Sequence, residues 1–205
     1  MLGYWLAVVR RLALPALATG AVCAAAVAAA LVLGDGTSWS AAAAPQAVAA
    51  GGVGALALVA VLSTSTVLSA ARTARRYGLT LGPDAVALPS VREVRMPAIE
   101  GRTAFQLTDS VRHVVEKDPV LRLDEITAFG HGTLDFTLRG PSDTSVSVQV
   151  RVTTGPQETA AVVEARPAAT YKRLDAAACW AVARVVEQRV AQALRAETAD
   201  GGAAR

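Results

Sequence analysis

The chain has 205 residues, 53% of them in the hydrophobic set, 4% aromatic and 18% charged. A mean hydropathy of +0.38 excludes a disordered chain, and the charged fraction falls below the quarter or so usual in soluble domains. Two cysteines supply neither a disulfide framework nor a four-ligand zinc site.

Charge is unevenly placed. Residues 1–81 hold five of the 20 basic residues (Arg10, Arg11, Arg72, Arg75, Arg76) and one of the 17 acidic ones, Asp35, which leaves 15 basic and 16 acidic residues beyond them. The pI of about 9.2 therefore describes arginines flanking apolar segments, not a basic domain. A nucleic-acid partner needs a basic patch on a folded surface, and none is expected.

After a cytosolic segment, 1–11, the run Leu12–Leu33 contains no charged residue, and Ala47–Ala71 contains none either. Each is about 33 Å or longer as a helix, against a hydrocarbon core of about 30 Å. Two transmembrane helices, 12–33 and 47–71, are expected, joined by an external loop, 34–46. Arg10 and Arg11 precede the first and Arg72, Arg75 and Arg76 follow the second, while the loop carries only Asp35. The positive-inside rule then puts both termini in the cytoplasm of a bacterial cell, with Trp39 and Tyr77 at the two interfaces. A cleaved signal peptide fits less well, because the first run is long and a second follows. Arg10–Arg11 lacks the surroundings of a twin-arginine signal, and Val22 stands before Cys23 where a lipoprotein signal has a smaller residue.

Gly20 in the first helix and Gly51, Gly52 and Gly54 in the second allow close approach of helix backbones. Gly51 and Gly54 are candidates for an interface with a second copy or another membrane protein. Packing between the two helices of one chain is the alternative, and the 18 Arg against 2 Lys betray a GC-rich bias that makes small residues common. Neither helix carries an ionisable group of the kind that transport or proton relay places inside a bundle. Ser63–Thr66 can satisfy their hydroxyls on the preceding turn. The helices read as an anchor in the lipid bilayer.

Residues 72–90, punctuated by Gly78, Gly82, Pro83 and Pro89, read as a juxtamembrane linker. Residues 91–198 read as a cytosolic α+β domain, with 199–205 a disordered tail. Val91–Met96 alternates as a strand does. Ala104–Lys117 places Leu107, Val111, Val114 and Val115 at helical spacing and stops at Asp118–Pro119. Four strands are expected at Leu121–Phe129, Thr133–Arg139, Ser145–Thr153 and Thr159–Arg166, with short turns at 130–132, 140–143 and 155–157, as an antiparallel meander. A helix over Leu174–Glu197, with its stripe through Ala178, Val182, Val185, Val186, Val190 and Leu194, covers the packed face. The order is β-α-β-β-β-β-α.

The run Val162-Val163-Glu164-Ala165-Arg166-Pro167, then Asp175, then the last helix, resembles the end of the cytosolic domain in small bacterial two-pass membrane proteins of unknown function. The resemblance covers about a third of the chain, and the Gly and Asn associated with the loop after the Asp are missing. It implies a tail domain and carries no catalytic residue across. The helix-on-sheet layout is also similar, more remotely, to START-like lipid-binding folds.

Chemistry-bearing residues are sparse. His113 and His131 are the only histidines, and Asp109 could pair with His113 at i, i+4. Cys179 has no base beside it in sequence. Glu93, Glu100, Asp124, Glu125 and Asp135 form no opposed pair, and no nucleotide, zinc or nucleophile-elbow motif occurs. No catalytic residue, metal or cofactor is assigned, and the chain is read as a non-enzyme. Trp180 projects with Arg184, Glu187 and Gln188, away from the valine stripe. Trp180, Arg184 and Gln188 are therefore candidates for a partner-facing patch; a boundary tryptophan folded over the sheet edge is the alternative. The function expected is a membrane-anchored scaffold or accessory subunit that associates with itself or another membrane protein. Capture of a small apolar ligand or lipid between the sheet and its terminal helix is the second reading.

Overall fold

The computed structural model describes residues 2–35, 43–139, 144–169, 175 and 177–203. Trp39 and the turn at 140–143 lie outside them. The chain divides into two compact units, Met1–Ser69 and Ala70–Arg205.

Helix α1 is Leu2–Asp35 and α2 is Ala43–Arg76, 34 residues each. Both are longer than the uncharged runs, because the first residues of the chain and the arginines after Ala71 continue the same helices. Each is long and apolar enough to cross a membrane, and only 17% of the most apolar window of each is buried. A core helix of a soluble protein would be mostly covered; here Leu14, Leu17, Val53 and Leu56 stand exposed.

Within this unit the helices meet backbone to backbone. A Cβ built on Gly51 would lie 2.6 Å from the Gly20 carbonyl oxygen and 2.9 Å from Ala24 Cβ, and one on Gly20 would lie 2.9 Å from the Gly51 oxygen. Gly54 faces Cys23, whose Sγ would be 3.2 Å from an added Cβ. Gly51 and Gly54, expected as candidates for an intermolecular interface, are thus used inside the hairpin. Small residues permit close approach, and their spacing alone does not say whose backbone approaches. Gly52 meets nothing within 4 Å.

The second unit begins with the last turns of α2. A 3-10 turn, Pro83–Val86, within the stretch expected as a linker, precedes β1, Ser90–Pro97, where a strand is expected over Val91–Met96. Then come α3 (Ala104–Lys117), β2 (Leu123–Gly130), β3 (Thr133–Arg139), β4 (Ser145–Thr154), β5 (Glu158–Pro167) and α4 (Ala178–Ala203). All five strands pair antiparallel, in the order β1-β5-β4-β3-β2. The meander β2 to β5 has β1 added at its β5 edge, with Val91 opposite Glu164 and Arg95 opposite Ala160. The chain must therefore cross the whole sheet between β1 and β2. Fourteen helical residues span about 21 Å, which matches the roughly 19 Å across five strands.

Helix α3 starts on a capping box: Thr103 Oγ1 accepts from Gln106 N at 3.3 Å, and Thr103 N donates to Gln106 Oε1 at 2.9 Å. It ends at Asp118, whose carboxylate accepts from Val120 N at 2.8 Å and from Arg189 of α4. Helix α4 starts later than Leu174, because Asp175 accepts from Ala178 N and, through its carboxylate, from Cys179 N at 2.6 Å. It runs to Ala203, past the end expected at Glu197 and into the segment read as a disordered tail.

Leu134, Phe136, Leu138, Val146, Val148, Val150, Val152, Ala161, Val163 and Ala165 point inward and are buried. They meet Leu107, Val111 and Val115 of α3 and Val182, Val186, Val190 and Leu194 of α4. The opposite face, with Ser147, Gln149, Arg151, Glu164 and Arg166, is solvated or half-buried. The β2–β3 hairpin closes over His131-Gly132, with Gly132 at φ +79°, where a Cβ would lie 2.6 Å from the Val152 carbonyl oxygen.

Because Gly51 is in backbone contact and Gly52 is not, the two adjacent glycines should respond differently to a side chain. Gly51→Val is expected to cost about 1–3 kcal/mol of hairpin stability and Gly52→Val little. Loss of helicity during SDS titration of the detergent-solubilised chain measures this, and equal midpoints for the two variants would contradict the packing described.

Candidate functional site

The segment from Tyr77 to Pro89, read from the sequence as a linker, is a strap docked on the α+β unit. Helix α2 ends in a glycine cap: Gly78 has φ +65°, Gly78 N donates to Arg75 O and Leu79 N to Ala74 O at 2.8 Å. The Tyr77 ring packs half-buried against the core of this unit, as does Leu88. Burial pushes the Tyr77 hydroxyl above its ordinary pKa, against the opposing charges of Arg76 and Arg122. Pro83 opens the 3-10 turn, where its missing N–H is no loss, and the turn places Ala85 and Val86 in buried positions.

Asp84, between those apolar residues and Pro83, is the polar centre of the strap. Its Oδ2 accepts from Arg92 Nη2 of β1 at 2.7 Å and from Trp180 Nε1 of α4 at 3.0 Å, and Arg184 Nη2 stands 3.7 Å away. Burial alone would raise the Asp84 pKa; the hydrogen bonds from Arg92 and Trp180, with the Arg92 charge, outweigh it and hold the carboxyl below its ordinary value.

This geometry corrects the reading of Trp180 as a partner-facing residue. Trp180 lies off the sheet-facing stripe, as its projection implies, but it is 3% exposed, and its indole N–H is taken by Asp84. Arg184 remains half-exposed between Asp84 and Glu187, 3.7 Å from each, and Gln188 is exposed. Asp84 and Arg92 carried no signal of their own. The run Ala177–Ala183 did carry one: it has no polar side to leave in water, so something besides the sheet must cover it.

A cleft of about 320 Å³ opens between α3 and α4, lined by Asp109, Ser110, His113, Val114, Ala196 and Glu197 among others. Asp109 pairs with Arg112 at 2.8 Å, and not with His113 as its spacing allowed. Glu197 accepts from Ser110 Oγ at 2.6 Å and faces Arg102 at 2.8 Å. His131 is elsewhere, its ring 5.5 Å from that of Phe105, which in turn lies 5.2 Å from Phe129. Of the two histidines, His113 lines the cleft and His131 does not. Among the described residues no group of three or more His, Cys, Asp or Glu side chains could hold a metal ion.

Cys179 is buried and free, and Cys23 is free in the other unit. Burial first, then the Asp175 charge and hydrogen bond, push the Cys179 thiol far above its ordinary pKa, so it stays protonated and a poor nucleophile. Arg10, Arg11, Arg72, Arg75 and Arg76, expected to flank the membrane, all have exposed side chains.

Asp84→Asn should destabilise the α+β unit by about 1 kcal/mol, the worth of a charge-assisted hydrogen bond reduced for solvent screening at a half-exposed carboxylate. Since the folded pKa lies below the unfolded value, the contribution is complete above about pH 4 and is lost as pH falls through the lower folded value. Denaturant unfolding of wild type and D84N should differ at pH 6 and converge on acidification. A gap that widens in acid would contradict the assignment.

Comparison with protein-family models, with curated proteins and with solved structures finds no match for this chain.

Proposed function

We propose that this protein is a non-enzymatic membrane tether. Helices α1 and α2 anchor it in the cytoplasmic membrane of a bacterium with both termini on the cytoplasmic side. The α+β domain acts as a scaffold or accessory subunit that associates with a second copy or with a neighbouring membrane protein.

The observation that carries the reading is the uncovered apolar surface of two 34-residue helices, of which only 17% of the most apolar window is buried. At about 25 cal/mol per Å² such surface is costly in water, and a bilayer removes that cost. Arg10 and Arg11 before the uncharged run of α1, and Arg72, Arg75 and Arg76 after that of α2, favour the stated topology. Confinement of a domain to two dimensions raises its effective concentration for neighbours without any new contact.

The state of the core supports association over ligand capture. An apolar ligand held between sheet and α4 would need room beside Phe136, Val148, Val150 and Val163, and these are 0% exposed, packed with the α4 stripe. The cleft between α3 and α4 is lined by Asp109, His113 and Glu197, which suit an apolar guest poorly.

Native mass spectrometry of the full-length protein, released gently from its own membranes, tests the proposal. A fixed oligomer or a second protein is the expected result; a monomer carrying an adduct of lipid mass would overturn it in favour of ligand capture. Ser142→Cys should be labelled by an impermeant thiol reagent only from the cytoplasmic side, and labelling from outside would reverse the topology.

A further inference from the structure

Three N–H donors from two elements converge on one carboxylate oxygen. Arg92 Nη2 and Trp180 Nε1 reach Asp84 Oδ2 at 2.7 and 3.0 Å, while Arg184 Nη2 stands 3.7 Å from the same atom, outside hydrogen-bond range. Arg184 is no better served on its other side, where Glu187 Oε2 is also 3.7 Å away. Arg92 Nε is buried with no acceptor among the described residues. The donors on β1 and α4 thus exceed what the strap's carboxylate satisfies. A group with three acceptor oxygens and more negative charge, such as a phosphate monoester, matches two guanidiniums and an indole N–H more fully.

We propose that Arg92, Arg184 and Trp180 form a phosphate-binding cradle that Asp84 occupies in cis, so that the Asp84 carboxylate and an external phosphate compete for one position. The position is open to solvent, since the Asp84 side chain is 46% exposed. Glu187 is the opposing charge beside Arg184 and limits affinity. The phosphate can belong to a free anion or to a phosphomonoester lipid headgroup; the recognising chemistry is the same. The apparent affinity of a site filled by its own chain is reduced by the fraction of molecules in which it is vacant, so removal of the competitor exposes the cradle's intrinsic strength. The cradle does not depend on the tethering function.

The test is calorimetric titration of the detergent-solubilised full chain with inorganic phosphate at constant ionic strength. Asp84→Ala is expected to bind phosphate at least tenfold more tightly than wild type, and Arg184→Gln added to D84A should lose at least tenfold. Asp84→Ser provides the same comparison should D84A not fold. Hydrogen exchange across residues 82–92 of the wild type, in phosphatidylcholine nanodiscs with and without phosphatidic acid, separates the sources. A change with added phosphate alone indicates the free anion, and a change only with phosphatidic acid indicates the headgroup. Equal phosphate affinities of wild type and D84A, with no response to either source, would overturn the proposal, as would binding by D84A that the Arg184 substitution leaves intact.

Discussion

Residues 177–183 at the start of α4 are all buried, and the sequence there, Ala177-Ala178-Cys179-Trp180-Ala181-Val182-Ala183, offers no polar side. A helix apolar around its whole circumference is stable only when covered on every side. The sheet covers one side through Val163, Val148 and their neighbours; the remainder must come from elsewhere in the chain. The 3-10 turn at Pro83–Val86 packs against α4 and supplies part of it. The segment between α2 and β1 is therefore not free to act as a spacer: the first turns of α4 would be exposed without it.

That cover brings a polar problem with it. Trp180 contributes a large apolar surface, and its indole N–H, once buried, needs an acceptor or costs about 1–3 kcal/mol. Asp84 supplies the acceptor, but a lone carboxylate against an apolar helix would itself be poorly solvated. Arg92 on the adjacent β1 offsets the charge at 2.7 Å. The three groups come from three elements, Trp180 lying 96 positions from Asp84, and the Asp84 carboxylate accepts from both of the others. Two other junctions follow the same logic: Asp118 closes α3 and pairs with Arg189 of α4, and Asp175 caps α4 through Cys179 N. Carboxylates at element ends, with partners on the neighbouring element, fix how the helices meet the sheet.

Periodicity made the elements legible, because it reports which face of a segment is apolar. Val146, Val148, Val150 and Val152 share one face in β4, as alternation requires, and the α4 stripe through Val182, Val186, Val190 and Leu194 is buried. Periodicity does not report what covers an apolar face. Trp180 projects away from the stripe, and its true neighbour lies 96 positions earlier in the chain; no local pattern marks that contact. Gly51 and Gly54 were legible as close-approach positions, but the approaching backbone, that of α1, is fixed by three-dimensional packing. Asp109 illustrates a local ambiguity: Arg112 at i+3 and His113 at i+4 are both within reach, and the always-charged guanidinium takes the carboxylate. The linker failed for a different reason. Gly and Pro mark turns whether or not those turns dock, and the residues that dock, Tyr77, Ala85, Val86 and Leu88, are too irregularly spaced to form a pattern.

The charges of the α+β unit are spent locally. Arg95 pairs with Glu93 and Arg166 with Glu164 along single strands, Arg139 pairs with Asp124 across two, and Arg102 and Arg112 are paired around the α3–α4 cleft. Pairs so arranged cancel within a few ångströms, well inside a Debye length of about 8–10 Å at physiological salt, and leave little field to steer a charged partner from a distance. Recognition of any charged group by this unit must then come from short-range geometry, at places where donors lack a hydrogen bond. Arg184 is a place where donors are left unmatched: it has two carboxylates nearby, each at 3.7 Å, and a hydrogen bond to neither. The five arginines before residue 82 are accompanied by one acidic residue, Asp35, in that stretch, so the excess positive charge of this protein lies on its two apolar helices, more than two turns inside the start of α1 and in the last turns of α2.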